Sequence, residues 1–169
     1  MSTTHTTIDS PIGELILVAE DAALSGVYFP GHWTRPDPAT FGERAEHRLE
    51  QVEQQLAEYF AGERTSFELP TSASGTTFQR QVWDLIDRIP YGQTTTYGQL
   101  ARELGNPTLA RKVGNAVGHN PLSVIVPCHR VVGTNGKLTG YAGGLQRKRF
   151  LLDLEAGPDR SQARAPSLF

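Results

Sequence analysis

The chain opens with three short runs of β-prone residues bounded by turn formers. "TTHTTID", "ELILVAE" and "LSGVYF" are separated by "SPIG" and "DAA", which predicts a meander of antiparallel strands. The Pro/Gly-rich stretch "GHWTRPDPATFG" reads as a loop. Over residues 43–61, Leu49, Val52, Leu56, Tyr59 and Phe60 recur at helical spacing with charges between them, so an amphipathic helix is expected there. "FEL" reads as a last short strand, and "PTSASG", residues 70–75, has linker composition.

Helical periods dominate after that linker. Thr76 or Thr77 is placed to cap a helix whose apolar face is Phe78, Val82, Trp83, Ile86 and Ile89, and Pro90 stops it. Thr96 is placed to cap a short helix over residues 97–104, ended by Gly105. Asn106 precedes a further helix with Pro107 at its first position. Two helices joined by a tight, Gly-containing turn form a helix-turn-helix pattern. "TNGK" reads as a hairpin turn, "LQRKRFLLDLEA" as a final helix, and residues 157–169 as a disordered tail. No internal repeat interrupts this order. The pattern predicts an α+β protein in two units, residues 1–73 and 74–156, followed by that tail.

Composition narrows the function classes. With 38% hydrophobic and 20% charged residues, the 169-residue chain reads as globular. One cysteine excludes an intramolecular disulfide framework and a cysteine-built zinc finger, and no metal is expected. Nothing resembles a signal peptide or the ~20 apolar residues of a membrane span, so a cytoplasmic protein without a membrane partner is expected. The net charge of −2 conceals a division. Residues 1–74 carry four basic and twelve acidic side chains, a net of −8, whereas the remainder carries twelve and six, a net of +6. A basic half is suited to a polyanion.

Two features could carry chemistry. In the second helix of the pair, Leu109, Val113, Ala116 and Val117 would face the core, while Ala110, Gly114 and Gly118 follow at i, i+4 and i+8. Each glycine costs the helix roughly 1 kcal/mol relative to alanine, so a nearly bare stripe implies close approach. It fits either packing on another helix or a helix lying in a DNA groove with Arg111 and Lys112 beside it. The second feature is "VIVPCHRVVG", which holds the single Cys128. An isolated cysteine commonly packs as a small hydrophobe. To act as a nucleophile it needs a base or a lowered pKa, and His129 is adjacent. Neighbours in a strand point to opposite faces, but Pro127 suggests a turn that would bring imidazole and sulfur together.

The stretch "NPLSVIVPCHRVVGTNGKLTGYAGGLQRKRFLLDLE", residues 120–155, resembles the active-site region of the O6-alkylguanine-DNA alkyltransferases. The family's Pro-Cys-His-Arg signature stands at residues 127–130. "TTTYGQLARELGNPTLARKVGNAV" resembles the same family's helix-turn-helix. The resemblance is detailed over residues 76–155 and rests on element order over residues 1–70. It implies a ribonuclease H-like N-terminal scaffold and a winged-helix-like C-terminal domain that binds DNA, transfers the alkyl group and contains short active-site strands.

The resemblance also implies roles, residue by residue. Cys128 would accept the alkyl group. His129 would take the thiol proton through a water, with Glu155 orienting it, and Asn120 would help fix the site. Tyr97 would hydrogen-bond an extruded guanine. Tyr141, Ala142 and Val131 would line its pocket, and Lys148 would sit near the reacting centre. Arg111 would fill the gap in the base stack, with Ala110, Gly114, Lys112, Asn106, Thr134 and Gln79 as further DNA contacts. No cofactor is implied. The implied partner is duplex DNA containing O6-alkylguanine, met by a monomer able to cluster along it, and DNA binding would associate the protein with the nucleoid. Some relatives carry a serine where Ala142 stands, and some bind zinc through N-terminal cysteines absent here. The alternatives are a non-catalytic lesion-binding module and a cysteine hydrolase.

Overall fold

The computed structural model describes the backbone of residues 2–31, 35–45 and 49–163, with side chains through residue 157. Two compact units emerge: Met1–Ser74 together with Pro121–Ile125, and Gly75–Asn120 together with Val126–Phe169. Among the described residues no helix is long and apolar enough to cross a membrane.

In the first unit, β1 (Thr3–Ile8), β2 (Leu15–Glu20) and β3 (Ala23–Tyr28) form the expected antiparallel meander. The β2–β3 turn places Asp21 at φ 55°, a left-handed position that aspartate tolerates better than most residues. β2 is one of two interior strands, and its residues 15–19 are buried on both faces, which explains the unbroken apolar run in place of alternation. Ile16, Val18, Tyr28 and Phe41 make one core cluster, with the Tyr28 and Phe41 rings stacked 5.6 Å apart. The edge of β3 is not left open. Leu24 N donates to Pro70 O and Val27 N to Pro121 O, at 2.9 and 2.8 Å, so chain segments cover a row of groups that would otherwise invite pairing.

Two expectations fail in this unit. The helix expected over residues 43–61 is α1, Glu50–Phe60. Residues 43–44 instead form β4 (Glu43–Arg44), which pairs parallel with β1, and Ala45 N donates to His5 O at 2.9 Å. The apolar spacing begins only at Leu49, while the open edge of β1 offers backbone partners to residues 43–45; residues 46–48 lie outside the described residues. "FEL" forms no strand. The buried Gln55 side chain donates to Glu68 O at 3.2 Å and accepts from Glu68 N at 2.9 Å. One amide thus meets the needs that a neighbouring strand would have met.

In the second unit, α2 (Thr77–Asp87) starts with a full capping box. Gln79 N donates to Thr76 Oγ1, and Thr76 N donates to Gln79 Oε1. α3 (Tyr97–Glu103) is capped by Thr96. Asn106 Oδ1 accepts from Thr108 N at the head of a 3-10 turn, Pro107–Leu109, that runs into α4 (Ala110–Gly118). The helix-turn-helix is therefore present. Trp83 Nε1 donates to Ala116 O at 2.9 Å, tying α2 to α4. Val113, Ala116 and Val117 are buried as expected, but Leu109 is half exposed because it belongs to the turn and not to the helix.

β5 (Thr95–Thr96) pairs parallel with β6 (Val131–Val132). "TNGK" is consequently not a hairpin turn. It is a 3-10 turn at Thr134–Gly136 with Asn135 at φ 62°, and Gly133 N donates across it to Lys137 O at 2.8 Å. The strand before it has already taken a parallel partner. α5 (Leu145–Ala163) breaks at Gly157, φ 76°, and stays helical through residue 163 where a tail was expected. Residues 164–169 lie outside the described residues.

Candidate active site

Cys128 lies on a 3-10 turn, Cys128–Arg130, and not on a strand. Pro127 opens the turn, and Arg130 N donates to Pro127 O at 2.9 Å. Successive side chains on such a turn diverge by roughly 120°, so Cys128 and His129 avoid the opposite faces that a strand would impose. All three turn residues are buried.

The turn feeds two side chains to one carboxylate. His129 Nε2 lies 2.7 Å from Glu155 Oε2. Arg130 donates from Nε to Oε1 at 2.7 Å and from Nη2 to Oε2 at 3.0 Å, while its Nη1 donates to Ile89 O at 2.6 Å. Burial alone would raise the Glu155 carboxyl, but hydrogen bonds and charge from His129 and Arg130 hold it well below the ordinary carboxylate range. An ionised carboxylate only accepts, so His129 carries its proton on Nε2 and keeps the lone pair on Nδ1. Burial pushes the imidazole below its usual value, and the Arg130 and Lys148 charges push it further against the opposing pull of Glu155. The resting imidazole is neutral, with the fully buried Nδ1 unpaired among the described residues.

Burial raises the Cys128 thiol, while a hydrogen bond with Asn120 and the charge of Lys148 work against that rise. Asn120 Nδ2 also donates to Val126 O at 2.9 Å, so one amide holds both sides of the turn's entry. Lys148 has no solvent-exposed surface. Its ammonium donates to the carbonyls of Val131, Thr139 and Gly140 at 2.6, 2.8 and 3.2 Å, which uses all three of its protons. Burial brings its pKa down to about 8, so the group remains charged at neutral pH. It joins the strand after the nucleophile to the loop at residues 139–140.

That loop continues into Tyr141 and Ala142, both buried. Tyr97 Oη accepts from Thr139 Oγ1 at 3.4 Å, and its ring is 6.0 Å from Lys148 Nζ. Burial raises the Tyr97 phenol, the Thr139 bond opposes this, and Cys128 adds a smaller upward push. The chain thus brings Cys128, His129, Glu155, Asn120, Lys148, Val131 and Tyr97 into one neighbourhood. A reaction there has a soft nucleophile, a neutral imidazole with a free lone pair, and a fixed carboxylate behind it.

The residues singled out for DNA are placed differently. Arg111 and Lys112 are exposed on α4, with Lys112 Nζ 4.3 Å from the centre of the Phe78 ring. Ala110 and Gly114 are half exposed, and a Cβ added at Gly114 would meet the Tyr97 ring at 3.8 Å, an ordinary contact. Thr134 is exposed on the 3-10 turn. Gln79 and Asn106 use their side chains in caps.

Sequence reasoning passed over Arg130 and the carbonyls of Ile89, Thr139 and Gly140. Arg130 left one signal: it is a charge inside the otherwise apolar run that ends at Val132. The carbonyls left none, because backbone acceptors do not show in side-chain patterns.

Comparison with known proteins finds relatives over both parts of the chain. Residues 77–157 match the family model described as 6-O-methylguanine DNA methyltransferase, DNA binding domain, and residues 3–73 match its ribonuclease-like domain. A methylated-DNA–protein-cysteine methyltransferase of Mycobacterium tuberculosis (strain ATCC 25618 / H37Rv) is 46% identical over 171 residues, covering 96% of this chain and 94% of the relative. The constitutive enzyme of that name from Bacillus subtilis (strain 168) is 43% identical over 157 residues, covering 89% and 94%. The crystal structure of Mycobacterium tuberculosis OGT in complex with DNA superposes with a TM-score of 0.84 at 43% identity, covering 99% of this chain and 97% of the other. The chain belongs to the methylated-DNA–protein-cysteine methyltransferase family.

Proposed function

We propose that this chain repairs duplex DNA by moving an alkyl group from O6 of guanine to Cys128, once per molecule. The observation that carries this reading is a buried Cys128 on the same turn as His129, whose neutral imidazole is fixed through Nε2 by the Glu155 carboxylate. A base inside the stack is out of reach of such a thiol, so the damaged nucleotide must leave the duplex. The exposed Arg111 and Lys112 and the small-residue stripe of α4 suit a helix that approaches DNA closely, with Arg111 taking the space the guanine vacates. Thr134, Asn106 and Gln79 are secondary DNA contacts in this reading, the latter two from residues already engaged in caps.

Cys128 gives its proton to His129 Nδ1 through a water. The sulfur lone pair then forms the S–C bond while the C–O6 bond breaks, and the released electron pair stays on guanine, which takes up a proton. The Tyr97 phenol faces the base. Tyr141, Ala142 and Val131 wall the pocket, and backbone N–H near Ala142 meets the departing oxygen, a donor preorganised where charge develops. Asn120 holds the thiol, and Lys148 holds the wall. The product is a thioether, which offers water no acyl carbon, so the protein is consumed. One protein per lesion suffices, and a monomer satisfies the reading. O4-alkylthymine would fit the same chemistry.

The test is intact-mass measurement after incubation with O6-methylguanine duplex. The expected result is a gain of one methyl group on Cys128, lost in Cys128→Ala. An unchanged mass with retained DNA affinity would leave a binding module instead, and repeated turnover of an ester would indicate a hydrolase.

A further inference from the structure

The geometry points to Arg130 as a positioning residue that keeps the Cys128–His129 pair uncharged at rest, by giving Glu155 the positive partner it would otherwise draw from a proton on the imidazole. This rests on the reading of His129 as the base.

A buried carboxylate requires a counter-charge. Two cations bind Glu155, the Arg130 guanidinium through two bonds and His129 through one. Arginine does not deprotonate in proteins, so its charge is constant while that of histidine is optional. With Arg130 in place, the carboxylate is balanced and His129 is free to be neutral. Without it, His129 would be drawn to supply that charge, and the proton would settle on Nδ1, the atom the reaction needs empty. Arg130 is itself held by Ile89 O, the last carbonyl before Pro90, so its position is set by the end of α2 as well as by Glu155.

α5 contributes Glu155 and Lys148, and the turn contributes Cys128 and Arg130. From α2 and the loop after it come Asp87 and Tyr91, both affected by the Arg130 charge. Lys148 is saturated by three carbonyls and does not touch Glu155, so it cannot replace Arg130 as the partner.

The test reads the protonation of His129 directly, by nitrogen NMR of labelled full-length protein without DNA. In the wild type the ring is expected neutral at pH 7, with the proton on Nε2. In Arg130→Gln the midpoint should rise by roughly one to three pH units above wild type. The double variant Arg130→Gln/Glu155→Gln removes both charges and should return the ring to neutral. A doubly protonated ring in the wild type at pH 7, or an unchanged midpoint in folded Arg130→Gln, overturns the proposal. If Arg130→Gln does not fold, the double variant decides. Folded with a neutral ring, it supports charge balance; unfolded, it makes Arg130 a structural anchor and overturns the proposal. None of these outcomes depends on alkyl transfer, so a failure of the proposed reaction would show separately, as an unchanged mass with DNA.

Discussion

Replacing Glu155 with glutamine keeps the shape of the side chain and removes its charge. Three short bonds converge on this carboxylate, at 2.7, 2.7 and 3.0 Å, and its side chain is 1% exposed. A hydrogen bond to a charged partner contributes about 1.5–3 kcal/mol against about 0.5–1.5 for a neutral one, so three such bonds lose about 3 kcal/mol together. The amide also turns one acceptor atom into a donor that faces an N–H, and Arg130 keeps its buried charge. Removing one partner of a buried pair costs about 3–5 kcal/mol, which sets the expected loss. Urea unfolding at pH 7 should show the midpoint falling with little change in slope. Among molecules that remain folded, alkyl transfer should slow by about 10²-fold or more, because the imidazolium formed in the reaction loses its counter-charge. A destabilisation below about 1 kcal/mol, or transfer at the wild-type rate, would refute the reasoning for both the carboxylate and the imidazole.

Further outcomes follow from the same geometry. Lys148→Met should lose several kcal/mol and most transfer activity, since three carbonyls each lose a donor at about 1–3 kcal/mol apiece, partly offset by no longer burying an ammonium; urea unfolding and a single-turnover assay check it. Acid should destabilise the wild type in two stages. The lowered His129 favours the folded state above about pH 6.5, and that advantage fades as pH drops and the unfolded histidine binds a proton. The lowered Glu155 favours the folded state above about pH 4.3, and its advantage is lost as pH falls further toward its folded value, so unfolding free energies measured from pH 7 to pH 3 should decline across both windows. Gly114→Ala should stabilise α4 by up to about 1 kcal/mol, because its Cβ meets only an ordinary contact with Tyr97, yet slow transfer from duplex DNA while leaving transfer from the free O6-alkylguanine base unchanged.

The parts legible in sequence are those written in side chains close along the chain. The meander, the cap expected at Thr76 or Thr77 and the Thr96 and Asn106 caps depend on local chemistry, and so does the helix-turn-helix. The misread parts depend on distant backbone. Glu43 and Arg44 become a strand because β1 has a free edge, and "FEL" does not because Gln55 reaches Glu68 first. "TNGK" lost its hairpin when Val131 and Val132 paired with Thr95 and Thr96. In the site, Cys128 and His129 were plain from "PCHR", and Pro127 hinted at their turn. That Pro121–Ile125 packs with the first unit immediately before this turn could not be read, since nothing local marks Val27 as the partner of Pro121. Nor could the work of Lys148, whose three partners are all backbone carbonyls.

Titrating O6-methylguanine duplex with reduced protein, at several protein amounts below and above the lesion, tests the central claim most directly. The account predicts that repaired guanine rises in proportion to protein and stops at one per Cys128, however long the incubation. Repair that continues past that ratio, or that proceeds in Cys128→Ala, would contradict it.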